Sequence, residues 1–291
     1  MSMKKRHGPL SLGTFRLTLP GRPLVMGVLN VTPDSFSDGG CFFSPARASD
    51  RFQRLVDDGA EIVDIGGESS RPGAEPVDVG EEWRRLGPVL SHVAGNSSIP
   101  ISVDTYKAEI ARRALDSGAS IINDISALRF DPDMAGVVAA TGASLILMHM
   151  QGTPHSMQQH PVYADVVQEI KAFLVERAET AMAAGVEREK IIVDPGIGFG
   201  KTVVHNLVIL RRLAEISEMD FSVLIGASRK SFIGKISGVD EQNRLPGSLA
   251  AAVLAARAGA QIVRVHDVRD TRRALEVCAA ISAPEQWVET A

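Results

Sequence analysis

The sequence predicts a single (β/α)8 barrel preceded by a small β-hairpin, and three features lead to this fold. Eight short apolar runs recur along the chain, each ends in a polar residue, and helical patterns follow most of them. Alternation of strand and helix patterns is typical of a parallel sheet, and eight repeats can close that sheet into a barrel. The strand ends of such a barrel open on one face, so residues far apart in sequence meet in one pocket.

The predicted elements follow in chain order. Residues 10–19, LSLGTFRLTL, alternate apolar and polar residues around a glycine and predict a hairpin that covers the barrel floor. The eight strand-like runs end at or near Asn30, Glu68, Asp104, Asn123, His149, Asp194, Lys230 and His266. Helices are predicted near 46–58, 79–93, 106–117, 132–141, 162–184, 204–216, 245–258 and 268–280. We expect an N-terminal segment over 1–24, the barrel over 25–282 and a C-terminal tail over 283–291.

Long connections follow the first, second, fifth and seventh predicted strands. They read VTPDSFSDGGCFFSPA, SSRPGAEPVDVG, QGTPHSMQQHPVY and SFIGKISGVDEQNRLPG. All four follow strand ends and therefore lie on the face that carries the pocket. Irregular connections of this length are uncommon without a function, and their Gly and Pro residues make them candidate lids. Plain surface variation is the alternative.

Composition excludes several classes of protein. Hydrophobic residues make up 45% and charged residues 23% of the chain, which is typical of a globular enzyme with a large core. The net charge of −4 gives no sign of a nucleic-acid surface. The basic start MSMKKRHG lacks the apolar stretch of a secretory signal, and no run is long enough to span a membrane. The two cysteines, Cys41 and Cys278, have no metal-ligand spacing, and we expect a cytoplasmic protein.

The segment DPGIGFGKT (194–202) is similar to a phosphate-binding loop but fits neither common pattern. A Walker motif ending at Lys201 requires glycine where Pro195 stands, and the dinucleotide pattern starting at Gly196 requires glycine at position 201. The glycines are better explained by close approach of the backbone and of Phe199 to a flat ligand. Lys201 is then expected to be a solvated cation at the start of a helix.

Three strand ends suggest a pocket for a planar heterocycle. Asp104, Asn123 and Asp194 would direct two carboxylates and an amide into one mouth, where they can accept from adjacent N–H and NH2 groups and donate to a carbonyl. Lys230 could add a donor. The apolar walls would come from Ile125, Met148 and Phe199, although core packing is the alternative for the first two.

The last strand-like run, QIVRVH, carries a potential anion site. Arg264 and His266 are two residues apart and therefore face the same side of a strand. Together with Asn30 they could hold an anion and its metal ion. A satisfied core histidine is the alternative for His266, whereas Arg264 inside an apolar run would be costly to bury without a partner.

Eight sequence blocks in the same order resemble the dihydropteroate synthase family of folate biosynthesis. The blocks are MGVLNVTPDSFSDGG (26–40), DIGGESSRPGA (64–74), SVDTYKAEIA (102–111), INDIS (122–126), LMHMQGTP (147–154), DPGIGFGKT (194–202), GASRKSFIG (226–234) and RVHDV (264–268). They extend from about Val25 to Val268. The resemblance implies a homodimeric barrel that joins p-aminobenzoate to 6-hydroxymethyl-7,8-dihydropterin diphosphate in the presence of Mg²⁺.

The resemblance also implies roles for individual residues. The family's pterin positions correspond to Asp104, Asn123, Asp194 and Lys230, with Ile125, Met148, Phe199 and Gly226 around them. Its diphosphate and magnesium positions correspond to Asn30, Arg264 and His266, with Asn30 as the metal ligand. The p-aminobenzoate positions correspond to Phe36, Asp38, Ser70, Arg71, Pro72 and Ser231. Of all these, Asp38, Arg71, Asp194 and Lys230 are predicted to be catalytic.

One departure and two alternative functions accompany the resemblance. The second connection reads ESSRPG where the family commonly has ESTRPG, so Ser70 keeps the hydroxyl and lacks the methyl group. A methyltetrahydrofolate-dependent methyltransferase shares the barrel and an Asp/Asn/Asp set but needs no diphosphate site. A catalytically inactive relative that only binds a pterin or a partner is the second alternative.

Overall fold

A closed barrel of eight parallel strands forms the body of the protein. The computed structural model describes residues 9–32, 45–71 and 73–286. The hairpin strands are β1 (Leu10–Leu12) and β2 (Phe15–Leu17), and the barrel strands are β3 (Leu24–Asn30), β4 (Ile62–Gly66), β5 (Ile101–Asp104), β6 (Ile121–Asp124), β7 (Ser144–Met148), β8 (Ile191–Asp194), β9 (Ser222–Ile225) and β10 (Ile262–Val265). Each barrel strand pairs with the next in sequence, and β10 closes on β3. The predicted (β/α)8 fold is confirmed.

The helices are α1 (Pro45–Asp57), α2 (Val79–Val93), α3 (Ala108–Asp116), α4 (Met134–Thr141), α5 (Val166–Ala183), α6 (Val203–Arg211), α7 (Leu213–Ser217), α8 (Ser231–Ser237), α9 (Leu245–Arg257) and α10 (Val268–Ser282). Short 3-10 turns cover Ala94–Asn96, Arg188–Lys190, Glu241–Asn243 and Pro284–Gln286. No helix within the described ranges is long and apolar enough to cross a membrane.

Several predicted helix bounds differ from the observed ones for local reasons. The helix predicted from 162 begins at Val166, because the Asp165 carboxylate accepts from the backbone N–H groups of Val167 and Gln168 and caps the helix. The helix predicted over 204–216 is divided into α6 and α7 at Arg212, whose backbone is not helical. Helix α8 lies inside a segment that was predicted as an irregular connection.

The hairpin covers the barrel floor, as predicted. Leu10 and Leu12 pack against a layer of interior strand residues: Leu24, Met26, Ile62, Ile121, Ile146, Ile192, Leu224 and Ile262. Ser144 at the start of β7 holds the hairpin in place, since its hydroxyl donates to the Ser11 carbonyl at 2.9 Å and accepts from the Gly13 N–H at 3.0 Å. This end of the barrel is therefore closed by apolar packing, and the opposite end is left for chemistry.

Candidate active site

The barrel interior changes from apolar to polar along the strands. Successive residues of a strand point to opposite faces, so the residue two positions after a floor residue also faces inward. At those positions, one layer above the floor, the strands carry Asp64, Asn123, Met148, Asp194, Gly226 and Arg264, and Asp104 on β5 is paired with Asn123 in the same layer. The strand ends predicted to share one mouth are therefore brought to the same layer of the barrel.

Arg264 occupies the centre of this layer. Its Nε donates to Asp64 Oδ2 at 2.6 Å, and its Nη2 donates to Asp104 Oδ2 at 3.0 Å. The Asn123 amide also donates to Asp64 Oδ2, at 3.1 Å. Arg264 is therefore not buried without a partner, as expected from its place in an apolar run. The two carboxylates keep its guanidinium in a fixed orientation.

Asp64 belongs to the same polar layer but is not among the residues that were predicted to form the site. It lies inside β4 and not at a strand end, and its side chain is completely buried. The sequence does contain an indication of this role, since Asp64 lies two residues after Ile62 inside an apolar run and therefore faces the barrel interior. A carboxylate buried there requires a cation as its partner. Arg264 on β10 is that cation.

Burial changes the ionisation of the groups that were predicted to hold a planar ligand. It raises the pKa of Asp104 to about 7, although the charge of Arg264 opposes the shift. Burial also raises the pKa of Asp194. Two contacts oppose this shift: the Gly196 N–H, which donates to Asp194 Oδ1 at 2.7 Å, and the charge of Lys230. It lowers the pKa of Lys230 to about 8. Groups with such perturbed values are typical of functional sites.

An apolar wall adjoins these polar groups. Ile125, Met148 and Phe199 form one buried cluster with Met150 and Met157, as expected for the wall of a flat pocket. The Lys230 ammonium lies 4.1 Å from the centre of the Phe199 ring. A cation over an aromatic face is stabilised by the ring quadrupole, so Lys230 and Phe199 fix one another.

The loop after β8 requires glycine for a reason other than ligand approach. Gly196 has a φ of +68°, and a Cβ there would lie 2.0 Å from the carbonyl oxygen of His149. The loop therefore packs directly against the end of β7. At Gly198 a Cβ would come within 3.2 Å of the Lys230 side chain, so that glycine leaves room for the lysine stem.

The prediction of a solvated Lys201 is wrong. The residue is 3% exposed, and its ammonium donates to the carbonyl oxygens of Phe199 at 2.8 Å and His149 at 3.2 Å and to His149 Nδ1 at 3.0 Å. Burial lowers the pKa of Lys201 to about 7 and that of His149 to about 2, so the imidazole is neutral and accepts. Lys201 joins the ends of β7 and β8 beneath the apolar wall.

Two of the eight polar strand ends belong to clusters of their own. His149 packs edge-on against Phe173, with ring centres 4.9 Å apart, in addition to its contact with Lys201. Glu68 accepts from the Tyr106 hydroxyl at 2.5 Å and from the Lys107 ammonium. The expectation that all eight converge on one pocket is therefore corrected for these two residues.

The mouth is completed by the ends of β3 and β10. Asn30 is half-buried at the end of β3, and a Cβ on Gly66 would lie 3.6 Å from both the Asn30 Oδ1 and the Asp104 Cβ. His266 is also half-buried, and its Nδ1 lies 3.0 Å from the Ser228 hydroxyl. Burial and the charge of Arg264 lower the pKa of His266 to about 3, so its ring is neutral.

The predicted p-aminobenzoate residues are only partly within the described ranges. Ser70 is half-buried, and Arg71 is exposed and donates to Glu241 Oε1 at 3.1 Å, which joins the second connection to the seventh. Ser231 is exposed at the first position of α8, directly after Lys230. Phe36, Asp38 and Pro72 lie outside the described residues.

Comparisons with known proteins agree with this geometry. A family model described as "Pterin binding enzyme" matches residues 26–266. The Escherichia coli K12 dihydropteroate synthase is 47% identical over 264 residues, which cover 90% of this chain and 93% of that protein. The Synechocystis dihydropteroate synthase is 44% identical over 274 residues, covering 94% and 95% of the two chains.

Solved structures are similar over the same length. The Xanthomonas albilineans dihydropteroate synthase with 4-aminobenzoic acid superposes with a TM-score of 0.89 at 44% identity, covering 95% of this chain and 99% of that one. The Yersinia pestis dihydropteroate synthase with a sulfonamide drug complex gives a TM-score of 0.90 at 44% identity, covering 94% and 99%. The X. albilineans enzyme in complex with 7,8-dihydropteroate gives 0.85 at 42% identity, covering 94% and 99%.

Proposed function

We infer the reaction of this chain from its family, for it belongs to the pterin binding enzymes and, among them, to the dihydropteroate synthases. It is a transferase that acts on the pterin methylene group. It condenses p-aminobenzoate with dihydropterin diphosphate and releases 7,8-dihydropteroate and diphosphate. The site observation that carries this conclusion is the layer of Asp104, Asn123 and Asp194 beside the cations Lys230 and Arg264.

Asp194, Asn123 and Asp104 would hold the pterin ring. Carboxylates accept the parallel N–H groups of the amino-pyrimidine edge, and the Asn123 amide can donate and accept beside them. Lys230 donates to a ring heteroatom from its position over Phe199. Ile125 and Met148 cover the ring faces, which keeps water from competing for these hydrogen bonds.

Arg264 and His266 would meet the diphosphate. Arg264 uses Nε and Nη2 for Asp64 and Asp104, so we expect its Nη1 to reach a phosphate oxygen. The Ser228 hydroxyl accepts from the His266 backbone N–H at 3.2 Å, and its own hydrogen is available to Nδ1. This assignment places the ring proton of His266 on Nε2, where it can donate to the leaving group.

The donor set at the mouth fits magnesium only with help from the substrate. Within the described ranges no group of three or more His, Cys, Asp or Glu side chains is arranged to hold a metal ion. Mg²⁺ commonly takes few protein ligands, together with substrate phosphates and water. Asn30 would supply the protein oxygen, and the bound ion would neutralise charge that develops on the departing diphosphate.

We propose that C–O cleavage precedes attack by the amine. Carboxylates that accept from the pterin N–H groups raise the electron density of the ring, and this stabilises positive charge on the exocyclic methylene. The diphosphate leaves with the bonding electron pair, the aromatic amine forms the new C–N bond, and its proton passes to solvent or to diphosphate. Asp38 would stabilise the cation, and Arg71, Ser70, Phe36, Pro72 and Ser231 would surround the benzoate.

A direct assay separates this function from its two alternatives. Purified protein is incubated with dihydropterin diphosphate, p-aminobenzoate and Mg²⁺, and dihydropteroate is measured by chromatography. Binding of the pterin without product would identify an inactive relative, and methyl transfer from methyltetrahydrofolate would identify a methyltransferase. The cations Lys230 and Arg264 and the neutral donor His266 at one mouth favour the diphosphate reaction, because a methyltransferase has no leaving anion to stabilise. The homodimer stays a prediction from the resemblance, and the cytoplasmic location stays a prediction from the cysteine content.

A further inference from the structure

A cluster of Glu68, Tyr106, Lys107 and Glu82 connects two neighbouring strand ends of the barrel. Glu68 follows β4, and Tyr106 and Lys107 follow β5. The Tyr106 hydroxyl donates to Glu68 Oε1 at 2.5 Å, and the Lys107 ammonium donates to both Glu68 and Glu82. The side chains of Glu68 and Lys107 are 11% and 15% exposed, so these contacts are shielded from solvent.

Glu68 fixes both ends of the second connection. It lies directly before that connection, which begins at Ser69, and its Oε2 also accepts from the backbone N–H of Val77, near the far end, at 3.4 Å. Gly67, directly before it, is held to α2 because its carbonyl accepts from Arg85 at 2.9 Å. The position at which Ser69 and Ser70 leave the barrel therefore depends on the contacts that hold Glu68.

Tyr106 connects Glu68 to the apolar wall that is predicted to contact the pterin. It lies two residues after Asp104, and its ring packs against the apolar cluster of Ile125, Met148 and Phe199. The ring also packs edge-on against Phe130, at 5.4 Å between centres, and the Lys107 ammonium lies 4.7 Å from its centre. Tyr106 thus contacts the apolar wall with its ring, and with its hydroxyl it contacts Glu68 at the start of the second connection.

We propose that Tyr106 and Glu68 are positioning residues for the second substrate: the Tyr106 hydroxyl, supported on the pterin wall, holds Glu68 and thereby the start of the loop that carries Ser70 and Arg71. The proposal rests on the proposed function, which assigns that loop to p-aminobenzoate. It requires loss of the hydroxyl to weaken p-aminobenzoate and to leave the pterin unaffected. A role in folding alone would affect both substrates together or neither.

The test compares Tyr106→Phe with a matched variant. Y106F keeps the ring on the pterin wall and removes the hydrogen bond to a charged acceptor, so the KM for p-aminobenzoate should rise by about tenfold or more. The Kd for dihydropterin diphosphate, measured by calorimetry without p-aminobenzoate, should change less than about twofold. Tyr163→Phe is the control, because its hydroxyl donates to the Gly200 carbonyl at 2.7 Å on the same face but does not touch the second connection. It should leave the KM for p-aminobenzoate unchanged.

A second variant links the effect to Glu68. Glu68→Gln keeps an acceptor oxygen for Tyr106, so it should raise the KM for p-aminobenzoate less than Glu68→Ala does. In the double variant Y106F/E68A the two effects should be less than additive, because both remove the same contact. Additive effects, or equal losses of pterin and p-aminobenzoate affinity in Y106F, would overturn the positioning role, as would an unchanged KM. Wild-type protein that forms no dihydropteroate would refute the proposed function and this inference with it.

Discussion

Arg264 Nε donates to Asp64 Oδ2 at 2.6 Å, joining β10 to β4 inside the barrel. The same guanidinium donates to Asp104 at 3.0 Å. Two carboxylates therefore hold one planar group by two different nitrogens. This arrangement fixes the direction of the remaining N–H groups before any anion arrives, and a prepositioned donor needs no reorganisation during the reaction.

Arg264→Lys should impair turnover more than pterin binding. The substitution keeps the charge but removes the planar fork that spans Asp64 and Asp104 and that we propose donates to a phosphate oxygen. We expect kcat to fall by roughly tenfold to a thousandfold, as for loss of one anion-stabilising donor. Steady-state kinetics give kcat, and calorimetry gives the pterin affinity. Unchanged turnover would place diphosphate recognition elsewhere at the mouth.

Asp194→Asn and Lys230→Ala should each abolish binding of dihydropterin diphosphate without unfolding the barrel. Asp194 is the last residue of β8 and Lys230 directly precedes α8 on the open face, and neither belongs to the hairpin-capped floor layer. Calorimetry measures binding, and thermal unfolding tests whether the fold is intact. Lys235→Ala, an exposed lysine on α8, is the matched control and should bind like the wild-type protein. Unchanged affinity in both site variants would show that the pterin lies elsewhere.

Lys201 should make the stability of the protein increase with pH. Burial lowers its pKa to about 7 from 10.5, so between those values the unfolded chain holds a proton that the folded chain lacks. The unfolding free energy then rises with pH over that window, by up to about 1.4 kcal/mol per pH unit from this group. The contribution is present above pH 10.5 and is lost as the pH falls towards 7.

Denaturant unfolding at several pH values between 7 and 10 tests this sign. Lys201→Met fills similar space without a charge, so its unfolding free energy should rise less with pH than that of the wild-type protein. The exposed Lys235→Met should keep the wild-type slope. Equal slopes in Lys201→Met and in the wild-type protein would mean that the folded chain keeps Lys201 charged throughout.

The sequence predicts the polar interior layer of the barrel where alternation along a single strand determines which way a side chain faces. Asp104, Asn123 and Asp194 end apolar runs, and period two places them on the interior face together with Arg264. The hairpin and the barrel follow from local patterns as well. These features depend on alternation along one strand, which a single sequence displays directly.

The parts that the sequence did not predict depend on contacts between distant segments. Lys201 reads as a solvated helix-start cation until the ends of β7 and β8 come together and give it three acceptors. Asp64 is an isolated charge in the sequence, and it gains a partner only when barrel closure places β10 next to β3, one strand away from β4. The contact of Tyr106 with Glu68 joins two connections that are 38 residues apart. Patterns within one element carry no information about such partners.

The two substrates should bind in a fixed order, with p-aminobenzoate after the pterin diphosphate or after diphosphate itself. Three of the proposed pterin residues, Asp104, Asn123 and Asp194, stand on strands of the barrel and are held by buried contacts such as that of Asn123 with Asp64. The second connection, in contrast, is held at Arg71 by an ion pair with Glu241 that is open to solvent. The two side chains are 73% and 49% exposed. An exposed ion pair contributes little, about 0–1 kcal/mol, so this part of the connection is free to rearrange when an anion arrives.

Sulfonamides imitate p-aminobenzoate and therefore report on this order. A sulfonamide is titrated by calorimetry into the apo protein, and then into protein with diphosphate and Mg²⁺. We expect measurable affinity only in the second case, because the residues predicted to form the benzoate pocket belong to the first and second connections, whose Gly and Pro residues make them candidate lids. Substitutions of Phe36, Ser70 or Pro72 should weaken the sulfonamide more than the pterin. Equal sulfonamide affinity in the two titrations would mean that the benzoate pocket exists before diphosphate binds, and that the order of binding is set by something other than these connections.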